Sequence, residues 1–473
     1  MSTETTYLEL SEDGGGSHKF YEVVVEGGTV TIRYGRIGES GQVKTSSFAD
    51  LTRARAEAQK KIREKMRKGY EEAVQGVRQR RAVTRRVIQS VVSTASRAPV
   101  LWRFRSGASA FGIFVDEHKA MVGNEDGQIY TLALDGQVTR QYRLPDGVKC
   151  IVADDDWIYA GCDDGNVYDL SGKAPRVSYE IARDVDIYWL DIHDGVLGVS
   201  DAGGGISVFN HEDEFQWRRP GNGTGGWMVR CDDLGVYQGH SNGVTMYDWE
   251  TGKELWHQST KGGVLFGWQE AEAVYAGTVR NQVHALSKTG KPLKVYQCDA
   301  SVYSCATSPD GRYVFAGDNH SSVYCFDADG TRLWKLGTGC GSAFSMQYRD
   351  ERLYIVTTDG SLACIDASEA AIKAAQAGTV PQTRDIKAPK LDAILPSSTV
   401  ETVAEAAGGV IVECYAAGSE LRMRVVSPGF QQSWRVQFPK QIRTAGARYV
   451  VDEVRESVRG GFYRAYGDIR RLS

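Results

Sequence analysis

A chain of 473 residues, 25% charged and 41% hydrophobic, has room for two to four domains and the composition of a folded protein, which excludes a disordered one. High Gly (53), low Pro (11) and many aromatics (23 Tyr, 14 Phe, 10 Trp) point to short strands joined by tight turns. The net charge of −4 is unevenly spread: residues 1–98 hold 18 Lys and Arg against 12 Asp and Glu (+6), residues 396–473 carry +3 and the middle −13, so a uniform nucleic-acid coat is excluded and polyanion contacts are expected at the termini.

The opening MSTETTYLELSEDGGG has neither a basic region nor an apolar run, and no stretch of about 18 apolar residues occurs. Neither a signal peptide nor a transmembrane helix is expected. The nine cysteines are scattered, odd in number and never spaced CxxC, which suits buried thiols in a reducing cytoplasm.

Tyr7–Leu10, Phe20–Glu26 and Thr29–Tyr34 read as strands, and the proline-free run from Phe48 to about Thr94 reads as helix interrupted at Gly69. Lys19-Phe20-Tyr21, Tyr34-Gly35-Arg36-Ile37-Gly38, Gly41-Gln42, Phe48, Ala54, Ala58 and Glu64-Lys65 with Lys68-Gly69-Tyr70 follow in a fixed order. In that order and spacing, about residues 5–80 resemble the WGR domain, found in poly(ADP-ribose) polymerases and many bacterial proteins. Tyr34 stands where the family is named for Trp. The resemblance implies contacts to DNA backbone and ribose at an end or nick, which by position fall on Tyr34 and Arg36. Gly35 would let the chain approach the ligand, and Gln42, Lys44, Lys65 and Lys68 would complete the site, with Lys60 and Lys61 on the same basic helix. The alternative is that Tyr34-Gly35-Arg36 only organises a small fold. Nothing resembles an ADP-ribosyl transferase. Arg78, Arg80, Arg81, Arg85 and Arg86 suit either a nucleic-acid arm or a solvated linker.

The middle of the chain repeats. IYAGCDDGNVYDLSG at Ile158–Gly172, VYQGHSNGVTMYDWETG at Val236–Gly252 and VFAGDNHSSVYCFDADG at Val314–Gly330 are three of seven copies. Their turn positions are Gly127, Gly165, Gly204, Gly243, Asn281, Ser321 and Gly360, spaced 38 to 40 residues apart. Apolar, β-prone runs flank each turn, so the period predicts a propeller of about four strands per blade. Seven hairpins are followed by SEAAIKAAQAG, helical in composition, and the seventh lacks the "LW" outer strand seen at Leu333-Trp334. LWRF at Leu101–Phe104 is expected to supply it and close the ring. Tyr247–Trp256 resembles the tryptophan-docking motif of pyrroloquinoline-quinone-like propellers. Only one copy matches well, so Trp packing between blades is expected and no bound quinone.

Residues 367–395 read as a short helix and a Pro-containing linker. Gly409–Ala416, Leu421–Val426, Gln432–Phe438, Tyr449–Val454 and Phe462–Tyr466 read as strands, with Arg435, Lys440 and Arg443 clustered near a turn or short helix at Lys440–Gly446.

The expected architecture is mainly β. It comprises a WGR-like α+β domain (1–80), a basic helical linker (81–98), a seven-bladed propeller (99–370), a linker (371–395) and a small α+β or β domain (396–473). Eight His without HxH or HExxH, and no GxGxxG, P-loop or GxSxG, give no metal, cofactor or catalytic site. The expectation is a non-enzymatic cytoplasmic adaptor. It would hold DNA, without reading sequence, at one end and protein partners on the propeller. The alternative is a scaffold that binds proteins alone.

Overall fold

The computed structural model describes residues 3–10, 19–36, 41–72, 91–181, 187–404, 408–418 and 420–473. They form two compact units, one within Met1–Arg86 and one from Val87 to Ser473.

The described residues of the N-terminal unit form an antiparallel sheet and one helix. Its strands are β1 (Thr3–Leu10), β2 (Lys19–Glu26), β3 (Thr29–Arg36) and β4 (Gln42–Ser47); helix α1 (Leu51–Met66) follows, then β5 (Glu71–Glu72), in sheet order β4-β3-β2-β1-β5. Alternation along β2 turns Tyr21, Val23 and Val25 toward α1, where they meet Leu8, Val30, Ala54, Ala58 and Ile62. Asp50 caps the helix by accepting the Arg53 N–H at 2.8 Å, and Gly69 ends it at φ +87°.

Three expectations change here. Strand β4 was not anticipated, because QVKTSS is exposed along its whole length and shows no apolar alternation. The helix stops at Met66, and after Gly69 the chain returns to the sheet as β5. Ile37, Gly38 and the Arg78–Arg86 cluster lie outside the described residues. Residues 91–98 are not the end of a helical linker. They run extended along the sixth small sheet of the repeat, where Ala98 donates to Gly337 O and Gly337 donates to Ser96 O.

The second unit contains seven consecutive small sheets, spanning residues 110–143, 148–180, 187–219, 228–259, 264–297, 302–337 and 343–366. The first six have four antiparallel strands in chain order from inside to outside. Neighbouring innermost strands pack together, and that of the seventh sheet returns to that of the first. The architecture is propeller-like and mainly β. The seventh sheet gains its fourth strand from ahead of the repeat: β6 (Val100–Arg105) pairs antiparallel with Ser361–Asp366. All seven turn positions read from the sequence have positive φ, including Asn281 (+63°) and Ser321 (+55°).

Outer-strand tryptophans stitch neighbouring sheets. Trp102, Trp217 and Trp256 each donate an indole N–H to a carbonyl 32 residues ahead, on Leu134, Trp249 and Lys288, at 3.1, 2.7 and 2.9 Å. Trp249 of the docking-like motif is buried and donates to Asp232 O at 2.6 Å, a packing role.

The segment expected as a linker is instead a strap around the outside of this ring. Helix α2 (Glu369–Gln376) covers Trp334 with Ile372 and Ala375. Arg384–Ile386 pairs parallel with β6, Ile394 bridges Tyr142 on the first sheet, and Ser397 donates to Pro175 O on the second. Beyond it, Val410–Ala417, Glu420–Val425, Arg435–Gln437, Phe462–Leu472 and Arg448–Glu456 form a sheet that closes on itself, with Glu401–Val403 added outside. It rests on turns of the second and third small sheets. Arg464 meets Asp154 at 2.7 Å with both side chains buried, and Asp194 accepts from Ser457 Oγ and from the N–H groups of Val458 and Arg459.

Candidate nucleic-acid interface

The residues singled out in the N-terminal unit converge at one end of its sheet. Cross-strand register sets Tyr21 opposite Tyr34 and Tyr34 opposite Gln42, while Lys44 lies opposite Ile32. The Tyr34 ring is 38% exposed, its hydroxyl donates to Gln42 Oε1 at 3.0 Å, and its centroid lies 6.2 Å from that of Tyr21. An exposed tyrosine held by its hydroxyl has the chemistry of a stacking platform. Arg36 ends β3 in backbone register with Lys19.

Gly35 has a purpose the sequence reading did not anticipate. A Cβ there would lie 2.8 Å from Gly41 Cα and 3.3 Å from the Phe20 ring, so the glycine admits its own chain. On that side Phe20 is buried between Tyr7, stacked at 5.9 Å, and the Arg33 guanidinium, 5.0 Å away.

The helix supplies cations of two kinds. Lys60 and Lys61 face Glu57, at 4.0 and 3.8 Å, and Lys61 also faces Glu64, so their charge is largely matched on the helix itself. Lys65 is half-buried, its ammonium 4.5 Å from the Tyr21 ring centre and 5.0 Å from that of Tyr70. Burial lowers its pKa below the ordinary lysine value, and the charges of Lys68 and Lys19 lower it further. The charge of Glu64 acts in the opposite direction, and an anion placed beside Lys65 would meet an ammonium that burial leaves poorly solvated. Lys44 is exposed on β4.

Residues 4–77 match the WGR domain family. The tyrosine-and-lysine end of the sheet is thus the end of a WGR domain. Residues 240–389, from the fourth small sheet through most of the strap, match the family PQQ_2, described as outer membrane protein assembly factor BamB. No curated protein matches the chain. Among solved structures, the computationally designed Ika8 protein is 15% identical over 57% of this chain and 100% of that one, with a TM-score of 0.44. The WD40 β-propeller domain of Doa1 is 13% identical over 60% of this chain and 97% of that one, with a TM-score of 0.47.

The C-terminal cations are committed elsewhere. Arg435 meets Glu212 at 2.6 Å, Lys440 donates to Asp213 O at 2.8 Å, and Arg443 donates to Leu421 O and Phe438 O at 2.7 Å. Arg435 and Lys440 thus dock onto acidic turns, and Arg443 ties together backbone of the C-terminal sheet itself.

A further cavity, of about 360 Å³, opens where the ends of the innermost strands meet, and the sequence reading missed it because its residues come from six separate sheets. Arg230 lies across it, donating to Gly267 O at 2.9 Å over the Phe266 and Trp268 rings. Buried Asp191 beside it is pushed up to about 6 by desolvation, against the opposing pull of Arg230. Among the described residues no group of three or more His, Cys, Asp and Glu is arranged to hold a metal ion, and no helix is long and apolar enough to cross a membrane.

Proposed function

We propose that this chain is a non-catalytic adaptor. Its WGR domain binds nucleic acid at ends or nicks without reading sequence, and its ring, a closed seven-bladed propeller capped by the C-terminal domain, carries protein partners. The observation that carries the reading is the exposed Tyr34 beside Tyr21, over whose ring the half-buried Lys65 ammonium sits at 4.5 Å, in the one region with a net charge of +6. A ring that stacks on sugar or base and cations that meet phosphate carry no base information, so affinity should follow salt and strand ends. Nine free cysteines, eight of them buried, favour a cytoplasmic location, and no cofactor or enzymatic step is assigned to the ring.

The test is fluorescence anisotropy of the full chain with nicked, blunt and single-stranded DNA at low salt. Tyr34→Ala is expected to lose about 1–3 kcal/mol, the range for one stacked base. Arg36→Ala is expected to lose about 1.5–3 kcal/mol, as for a charged hydrogen bond to phosphate. Tyr34→Trp should bind at least as well as the unaltered chain. If folded Tyr34→Ala and Arg36→Ala bind as tightly as the parent, the domain is a protein-contact module and the chain a pure scaffold.

A further inference from the structure

Four tryptophans occupy the same place on outer strands of the ring: Trp102, Trp217, Trp256 and Trp334. Three are covered, each differently. Trp217 has Arg219 of its own strand against it. A Cβ on the facing Gly252 would meet both side chains, and Arg219 donates to Thr251 O at 3.2 Å. Trp334 lies under helix α2. Trp102 is covered by the strap: Arg384–Ile386 runs parallel to β6, Ile386 sits against Trp102 and the facing Gly136, and Arg384 donates to Asp135 O. These three rings are 8%, 6% and 4% exposed.

Trp256 is the exception. Its indole N–H reaches Lys288 O as those of Trp102 and Trp217 reach Leu134 O and Trp249 O, and Gly290 faces its ring as Gly136 faces Trp102. The three atoms nearest a Cβ built at Gly290 all belong to that ring, at 2.7 to 2.9 Å, and Trp256 stays half-buried. Gln258, at the position of Arg219, turns instead to Ser259 O at 3.0 Å. Leu255 beside it is 48% exposed. Among the described residues no strand lies along the outer edge of Glu254–Ser259.

We propose that the outer edge of the fourth sheet receives an extended segment of a partner protein as a fifth, parallel strand, with an aliphatic side chain seated between Trp256 and Gly290. The chain's own strap supplies the template. In Arg384-Asp385-Ile386 the arginine bonds the turn carbonyl, the backbone pairs with the edge, and the isoleucine fills the notch. For the fourth sheet the equivalent carbonyl is that of Thr289, on a turn of the neighbouring fifth sheet as Asp135 is on a turn of the first, so the partner's segment has the form arginine, any residue, aliphatic. Backbone pairing gives affinity and the notch selects the side chain. The inference rests on the ring as a partner platform and names where the partner docks.

The probe is a fluorescein-labelled peptide copying residues 380–389, titrated into the full chain, whose own strap already fills the seventh-sheet site. Saturable binding is expected. It should weaken at least about tenfold when the peptide carries Asp in place of the residue copying Ile386. Leu255→Asp in the protein should weaken it similarly with an unchanged melting curve, since that side chain is exposed. A photoreactive group at position 255 should crosslink the peptide. No saturable binding, or binding indifferent to Leu255→Asp, overturns the proposal, as does a crosslink at 255 to a second copy of this chain. A partner crosslinking only to the central mouth of the ring also overturns it, while leaving the adaptor reading intact.

Discussion

A Cβ at Gly204 would lie 1.9 Å from Gly223 O, and the residue sits at φ +85°. Both steric space and backbone conformation require glycine there. Gly204→Ala is expected to cost about 3 kcal/mol or more, the upper end for strained left-handed backbone, read as a drop in melting temperature. Asn281 occupies the equivalent turn at φ +63° with its side chain donating to Asp299 O at 3.2 Å, and Asn tolerates this region. Asn281→Gly should change stability by no more than about 1 kcal/mol. A second residue-scale prediction concerns His211, stacked on Phe462 at 3.7 Å and depressed to about 4, chiefly by burial. A histidine near 6.5 when unfolded and near 4 when folded binds its proton preferentially in the unfolded state. Its contribution is intact above pH 6.5 and is lost as pH falls from 6.5 toward 4. The loss is at most about 3 kcal/mol, from 1.36 kcal/mol per pKa unit. Raised Asp191 and Asp213, both near 6, act with the opposite sign between pH 4 and 6, so the whole-protein curve is flatter than His211 alone would make it. NMR titration should find His211 neutral at pH 5.5; a folded protein with a protonated His211 at that pH contradicts the burial argument.

At the level of elements, a buried ion pair holds the C-terminal sheet to the ring, and an exposed pair within that sheet sets its worth by contrast. Arg464 and Asp154 are 3% and 5% exposed, and Arg464 also lies 3.9 Å above the Trp157 ring. Arg464→Ala strands a buried carboxylate and is expected to cost about 3–5 kcal/mol, with a change in Trp157 fluorescence. Arg448, exposed and paired with Glu413 at 3.1 Å, should lose less than about 1 kcal/mol on the same change. If both variants melt alike, docking does not depend on the buried pair. These elements also mark what could be read from the sequence. The small-sheet hairpins were legible because each pairs apolar β-prone runs with a residue able to take positive φ, and Leu101–Phe104 was legible as an outer strand from its likeness to Leu333–Leu336. The strap was not. Arg384–Ile386 is three residues long, has no alternation to detect, and is a strand only because β6 offers an edge. Strand β4 escaped for a related reason, being fully exposed and paired on one side only. In the candidate site, Tyr34 and Gln42 were legible as a group, whereas the repulsion of Lys65 by Lys19 and Lys68 depends on a fold that brings β2 beside the end of α1.

Across the whole molecule, charge decides where a polyanion goes. The middle carries −13 and the two ends +6 and +3. The positive C-terminal end is largely consumed at the ring: Arg422 and Arg435 meet the buried carboxylate of Glu212, Lys440 meets Asp213, and Arg455 meets Asp156. In the N-terminal unit Lys60 and Lys61 are matched by Glu57 and Glu64, while the charges of Lys68 and Lys19 bear on half-buried Lys65 and outweigh the opposing charge of Glu64. Nucleic-acid affinity should therefore respond to Lys65 and Lys68 and ignore Arg435 and Lys440. Each phosphate neutralised contributes about −0.9 to the slope of log affinity against log salt on duplex DNA, so two to four contacts give a slope of roughly −2 to −4. Lys65→Gln with Lys68→Gln should make that slope shallower by about 1 to 2 and weaken binding equally for unrelated sequences. Arg435→Gln with Lys440→Gln should leave the slope unchanged while lowering the melting temperature, because its effect falls on the docking of the C-terminal sheet. The opposite pattern, a slope set by Arg435 and Lys440 and indifferent to Lys65 and Lys68, would move the interface to the other end of the chain, and the acidic turns of the ring would then have to release those cations before DNA could bind.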